Sequence, residues 1–285
     1  MRVTTLLAFA LLAGTQLTGC RAQEQTRRPV LIEGAMPSEV ERLAGHLEHA
    51  ATETAGGWTA WRGAIEGHPV VVLKTGKGAA NTAAATAIAV ERYQPRAIVN
   101  LGTAGGHDPQ LHVYDIVLGK ESVNLGAFKT GYRKRGGGSN SLEWSALDLQ
   151  ASEGSAGQDA NALTMRRFPG DAGLLAAARA AAHLYSKGRV VEGVIGSGEV
   201  WNSEIDRIEW FHRHYGTSVE EMETASAAQI AGRMGTPFLG IRILSNNITN
   251  GGVYDAKTAE DCQDFVYEVV KAYGRMESAS EKIGK

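Results

Sequence analysis

The sequence predicts one α/β domain built on a largely buried central sheet. Short β-branched apolar runs alternate with segments of helical pattern along the chain. The runs are apolar throughout rather than alternating, as strands covered on both faces are. Within 285 residues there is neither an internal repeat nor a second domain boundary, and 43% hydrophobic with 21% charged residues is ordinary for a folded domain. The 35 glycines, against a usual level of about 7%, fall in short clusters that suit tight turns and backbone-lined sites.

Val30 to Ile32 is the first strand, and Glu33-Gly34-Ala35-Met36 turns into a helix that begins near Pro37, where proline suits a first helical turn. Pro69 to Lys74 is a second strand; Thr75-Gly76-Lys77-Gly78 then turns into an alanine-rich helix from Ala79 to about Arg92. Ala97 to Leu101 is a buried strand ending in Gly102-Thr103-Ala104-Gly105-Gly106, and Asp115 to Leu118 is the next. Residues 122–168, rich in glycine and serine with isolated aromatics, are expected to form a long excursion from the core. Asp171 to Tyr185 is a helix, Arg189 to Ile195 a strand, and Gly196-Ser197-Gly198-Glu199 a turn. Glu204 to Tyr215 is helical, Ser218 to Glu221 extended, Met222 to Met234 helical, Phe238 to Leu244 a strand, and Thr258 to Tyr273 a closing helix.

The first residues carry an address. Arg2 gives a positive start, Val3 to Gly14 is largely apolar but too short to span a bilayer, and Leu17-Thr18-Gly19-Cys20 follows. That order resembles a bacterial lipoprotein signal, which implies cleavage before Cys20 and its lipidation. The expected organisation is a signal over 1–19, a lipidated tether over 20–29 and a domain over 30–285. Arg21 stands where an aspartate would favour retention at the inner membrane, so an exported, periplasm-facing protein on the outer membrane is expected, with the lipid as its sole membrane contact.

A formal net charge of −2 offers no broad basic field, which argues against nucleic acid as a partner. Arg133-Lys134-Arg135 beside three glycines reads as a solvated loop. Cys20 and Cys262 are the two cysteines, so lipidation of Cys20 leaves Cys262 without a disulfide partner. His212 and His214 do not make metal-ligand spacing with any other group, and no metal is expected.

Ligands of open α/β sheets collect at the carboxyl ends of strands. Those ends hold Gly102 to Gly106, Gly196 to Glu199, Glu221-Met222-Glu223 and Ser245-Asn246-Asn247. With Gly34-Ala35-Met36 and Glu39, Lys74 to Gly78, Asn100 to Gly106, Val219 to Ala225 and Arg242 to Asn246, the chain resembles the nucleoside phosphorylase and nucleosidase superfamily, in particular the bacterial methylthioadenosine/S-adenosylhomocysteine nucleosidases. Each segment is weak alone, and the five lie in family order.

The resemblance implies a three-layer α/β/α fold with a mixed sheet, no cofactor, and cleavage of the bond between a purine and its ribose through an oxocarbenium-like state. It implies that Glu39 positions and activates water, that Thr103 and Arg242 surround the nucleophile, and that Glu223 accepts hydrogen bonds from the ribose hydroxyls with Met222 beneath the ring. Met36, Gly105, Glu221 and Ser245 belong to the same binding segments, and Trp201 falls where the family stacks an aromatic ring on the base. Glu39 also fits plain capping of a helix, and Met222 and Trp201 also fit core packing. It further implies a homodimer in which a neighbour's loop closes the site.

Phosphorylases of the superfamily place an arginine just before the Gly-Thr-x-Gly turn, where this chain has Asn100-Leu101. Glu33 and Glu39 in the first turn would repel a phosphate dianion, so water is the expected nucleophile. Asn246 departs from the family pattern, since adenine-specific nucleosidases carry an aspartate there as general acid. An amide donates a hydrogen bond to purine N7 but no proton. Three readings follow: a preference for 6-oxopurines; adenine cleavage with a proton from water or from a neighbour such as Asp255; or a binding protein without catalysis, phosphorolysis being a further alternative.

Overall fold

The computed structural model describes residues 28–147 and 166–283, with side chains to 279. The signal and tether to residue 27, Cys20 included, and residues 148–165 of the excursion lie outside the described residues.

The strands are β1 (Val30–Gly34), β2 (Glu48–Ala55), β3 (Trp58–Ile65), β4 (His68–Lys74), β5 (Ala97–Gly106), β6 (Ile116–Asn124), β7 (Phe128–Lys129), β8 (Ser145–Ala146), β9 (Arg167–Pro169), β10 (Val190–Ser197), β11 (Thr217–Glu221) and β12 (Phe238–Asn246). The helices are α1 (Pro37–Gly45), α2 (Ala79–Tyr93), α3 (Ala172–Ala181), α4 (Ile205–Tyr215), α5 (Thr224–Arg233) and α6 (Thr258–Ile283). The main sheet runs β11-β10-β6-β12-β5-β1-β4-β3-β2, with β9 beside β6. It is mixed: β1 is parallel to β4 and β5, β12 is parallel to β5 and antiparallel to β6, and β3 is antiparallel to both neighbours. β11 pairs with β10 on one side and with β5 on the other, so five strands close into a ring.

Successive side chains of a strand point to opposite faces. Val30, Ile32, Val70, Val72 and Val99 therefore meet Phe265, Val266, Val269 and Val270 of α6 on one side, with α1 and α3 alongside. Leu31, Val71, Leu73 and Ile98 meet Ala85 and Ala89 of α2 and Ala227 and Ala231 of α5 on the other. Alanine there lets the helices lie close to the sheet. This is the expected three-layer fold with a mixed sheet.

The sequence reading has no counterpart for β2 and β3, nor for the short strands β7, β8 and β9. β2 is an edge strand exposed along most of its length, so it carries no apolar pattern. The glycine-rich segment after Leu101 continues as strand to Gly106 rather than turning, because β12 and β11 pair with it from both sides. β6 runs on through Lys120 and Glu121 to Asn124, so the excursion starts later than residue 122, and β9 returns to the sheet before Gly170. The helix predicted from Met222 starts at Thr224, and the closing helix extends past Tyr273 to Ile283.

Candidate active site

The ends of β1, β5, β11 and β12 converge on one cavity. After β1, Gly34-Ala35-Met36 leads into α1, whose third residue is Glu39. The Glu39 carboxylate is buried, and its two oxygens do different things. Oε2 accepts the backbone N–H groups of Ala35 and Met36 at 3.2 and 3.1 Å, which caps the helix. Oε1 accepts the N–H and the hydroxyl of Thr103 at 2.9 and 3.1 Å. A Cβ at Gly102 would stand 2.9 Å from that same oxygen, so only glycine allows the approach. Capping and site geometry are thus met by one side chain.

β11 ends at Glu221, and Met222 and Glu223 follow it into α5. Burial alone would raise the Glu221 carboxyl, but the Arg242 guanidinium, the Ser197 hydroxyl and the N–H groups of Glu223 and Thr224 hold it below its usual range. Glu223 accepts from the N–H of Gly78 at 2.7 Å. Burial and the charge of Glu221 push its carboxyl up to about 7. Gly78 has φ of +89°, and a Cβ there would lie 2.6 Å from Glu199, so this backbone donor needs glycine. Met222 lines the cavity between the two carboxylates and is not part of the core.

Arg242 is set behind the cavity wall. Its Nε and Nη2 donate to Glu221 at 3.1 and 2.6 Å, and its Nη1 and Nη2 donate to the backbone and side-chain oxygens of Asn100 at 2.9 and 2.6 Å. Asn100 in turn faces Glu33, whose carboxylate accepts from Thr86 at 3.1 Å. The alternation of β1 places Glu33 with Leu31 on the α2 side, fully buried and outside the cavity, so it does not contribute the repulsion of phosphate expected of it. Burial pushes its carboxyl up to about 7.

Asn246 and Ser245 close the β12 end, where Asn246 lies opposite Gly105 in the β5 register. The Ser245 hydroxyl stands 3.2 Å from both the Ala104 carbonyl oxygen and Asn246 Oδ1, and the Asn246 amide lines the cavity. Asp255 accepts the Tyr114 hydroxyl at 2.6 Å and the N–H of Lys257 at 2.9 Å, and these donors hold it below its usual range. It is therefore no source of protons near neutrality, contrary to one reading of the sequence. Trp201 lines the cavity but is 70% exposed, with its ring edge to Tyr254 at 6.2 Å, so it is not core.

Met36, Glu39, Thr103, Gly105, Trp201, Glu221, Met222, Glu223, Ser245 and Asn246 thus share one cavity, and Arg242 supports it from behind. Sequence reasoning missed His107 and Asn202 and gave no role to Glu220. His107 Nε2 is 2.9 Å from Glu220, and Asn202 donates to the same carboxylate at 3.0 Å. The sole signal was the doubled acid Glu220-Glu221 at a strand end.

Residues 29–277 match the model of the phosphorylase superfamily. The 5'-methylthioadenosine/S-adenosylhomocysteine nucleosidase of Bacillus thuringiensis is 31% identical over 225 residues, 76% of this chain and 85% of the relative. The crystal structure of such a nucleosidase from Colwellia psychrerythraea in complex with adenine superposes with a TM-score of 0.69 at 28% identity, covering 87% of this chain and 96% of the other. The enzyme from Neisseria meningitidis in complex with methylthio-immucillin-A gives 0.68 at 25% identity, covering 86% and 99%. The chain belongs to the phosphorylase superfamily, among whose members it is similar to the methylthioadenosine/S-adenosylhomocysteine nucleosidases.

Proposed function

We propose that this protein is a purine nucleosidase that hydrolyses the N-glycosidic bond with water activated by Glu39. The observation that carries the reading is the placing of the Glu39 and Glu223 carboxylates on one cavity from which Arg242 is walled off by its pairing with Glu221. Such a cavity favours a cationic sugar and disfavours a phosphate nucleophile. Among the described residues the exposed Lys77 is the one lysine or arginine on its lining.

In this reading the C1'–N9 bond breaks with its electron pair going to the purine, and water adds to C1' while Glu39 takes its proton. Thr103 fixes the reacting oxygen of Glu39. Glu223 accepts hydrogen bonds from the 2' and 3' hydroxyls, Met222 packs under the ring, and Glu221 with Arg242 holds the β11 end in place. Asn246 donates to N7, and the proton for the departing base comes from water. Trp201 covers the base, and Met36, Gly105 and Ser245 complete the walls.

Base release from purine nucleosides by the purified full chain, in buffer free of phosphate, tests this. Release by wild type and its loss in Glu39→Gln with nucleoside binding retained is expected; equal turnover in the variant overturns the role of Glu39. We further propose that Cys20 carries a lipid anchoring the protein to the outer membrane, and that the chain works as a homodimer. Release of Cys20→Ala from membrane fractions and the mass of the purified protein in light scattering test those two points.

A further inference from the structure

A second cavity, of about 680 Å³, borders the substrate cavity across a common wall of Val200, Trp201, Asn202, Glu220 and Met222. Its remaining lining comes from the ends of β6 and β10, from Phe128 and Trp144 of the excursion, and from α4. Consecutive residues of α4 divide between the two: Ile208 lines the substrate cavity and Arg207 the second.

Arg207 is only 6% exposed, yet among the described residues no carboxylate pairs with it. Its Nη1 donates to the Ser141 carbonyl, and its Nε and Nη2 have no acceptor. The guanidinium carbon stands 4.1 Å from the centre of the Phe211 ring, 4.6 Å from Trp210 and 4.8 Å from Phe128. Ring faces attract a cation but are weak acceptors for its N–H groups. Burial pulls the Arg207 pKa down, and Glu220 and Glu204 restore part of the loss; the group stays a cation. A buried cation without a paired counter-charge is costly. Its free N–H groups match the two oxygens of a carboxylate.

We infer that this second cavity binds a small apolar monocarboxylate, with its carboxylate on Nε and Nη2 of Arg207 and its body against Phe128, Trp144 and Phe211. The other charges on the lining set that class. Glu220 is engaged by His107 and Asn202, Glu199 accepts the N–H of Ala79 at 2.9 Å, and Glu204 is exposed. Three carboxylates around one guanidinium repel a phosphate or a dicarboxylate. A single carboxylate offsets the one cation, and the aromatic walls take an apolar body. The inference does not rest on the nucleosidase reading, which gives Arg207 and these three rings no part in the reaction.

The probe is hydrocinnamate, a phenyl ring on a short chain that ends in a carboxylate, and the control is its neutral amide. Binding of each to the purified full chain is measured by calorimetry. The acid should bind at least about tenfold more tightly than the amide, the difference a charge-assisted pair makes. Arg207→Met keeps an apolar side chain against the rings and should bring the acid down to the level of the amide. Lys77→Met removes the cation of the substrate cavity and should leave acid binding unchanged. Equal binding of acid and amide by wild type, or binding of neither at millimolar concentration, overturns the inference with no variant needed. Loss of acid binding in Lys77→Met but not in Arg207→Met puts the carboxylate in the substrate cavity and overturns it as well.

Discussion

Glu39 Oε1 receives both the backbone N–H and the hydroxyl of Thr103, at 2.9 and 3.1 Å, although the two residues lie 64 positions apart. The pairing leaves the carboxylate a single orientation, held at its other oxygen by the N–H groups of Ala35 and Met36 just ahead of α1. A general base needs that orientation more than it needs a shifted pKa. Thr103→Val keeps the volume and the N–H donor and removes the hydroxyl. It should lower kcat about tenfold, the effect of about 1.4 kcal/mol, with little change in KM, while Thr103→Ser should restore most of the rate. Steady-state kinetics on the three proteins checks this.

Arg242 and Glu221 form a pair buried on both sides. Removing one member of such a pair strands the other charge and costs about 3–5 kcal/mol. Arg242→Met should destabilise the fold by that amount in urea unfolding and should weaken nucleoside binding through the displaced Glu223. Unchanged stability would mean that the pair contributes nothing net.

Glu33 lies in the sheet with its carboxyl raised from 4.5 to about 7 by burial. Between those values the unfolded chain releases the proton and the folded chain keeps it, so wild-type stability is full below pH 4.5 and falls as pH rises through 7. The loss amounts to about 3 kcal/mol. Glu33→Gln has no such dependence, so its stability relative to wild type should grow by about that amount from pH 4 to pH 8. Parallel stability profiles for the two proteins would contradict the assignment.

Glu223 is raised to about 7 by burial and by the neighbouring Glu221. In the role proposed for it the ionised form accepts both ribose hydroxyls, and the acid accepts less well. The pH profile of kcat/KM, which reports the free enzyme, should therefore fall on the acid side with an apparent pKa near 7. Glu223→Gln should lower kcat/KM and abolish that limb; a limb that persists belongs to another group.

The parts of the fold that were legible in the sequence are those where burial writes a pattern. Val30 to Ile32, Val70 to Leu73 and Phe238 to Leu244 are covered on both faces and read as strands at once. β2, exposed at the edge, writes no such pattern. Local context near Gly34-Ala35-Met36 marked Glu39, and family order marked Glu223 and Asn246. What stayed hidden depends on tertiary closure. The β11 to β5 pairing brings Glu220 opposite Gly105, and His107 reaches Glu220 across 113 positions. The same holds for Arg242, whose match to the site could not reveal that Glu221 and Asn100 keep it behind the wall.

The most direct measurement is turnover of a purine nucleoside in water enriched in oxygen-18 with inorganic phosphate present. Hydrolysis through Glu39 places the label on C1 of the released sugar and forms no sugar 1-phosphate. A sugar 1-phosphate without label would show that phosphate is the nucleophile and that the carboxylates of this cavity do not exclude it.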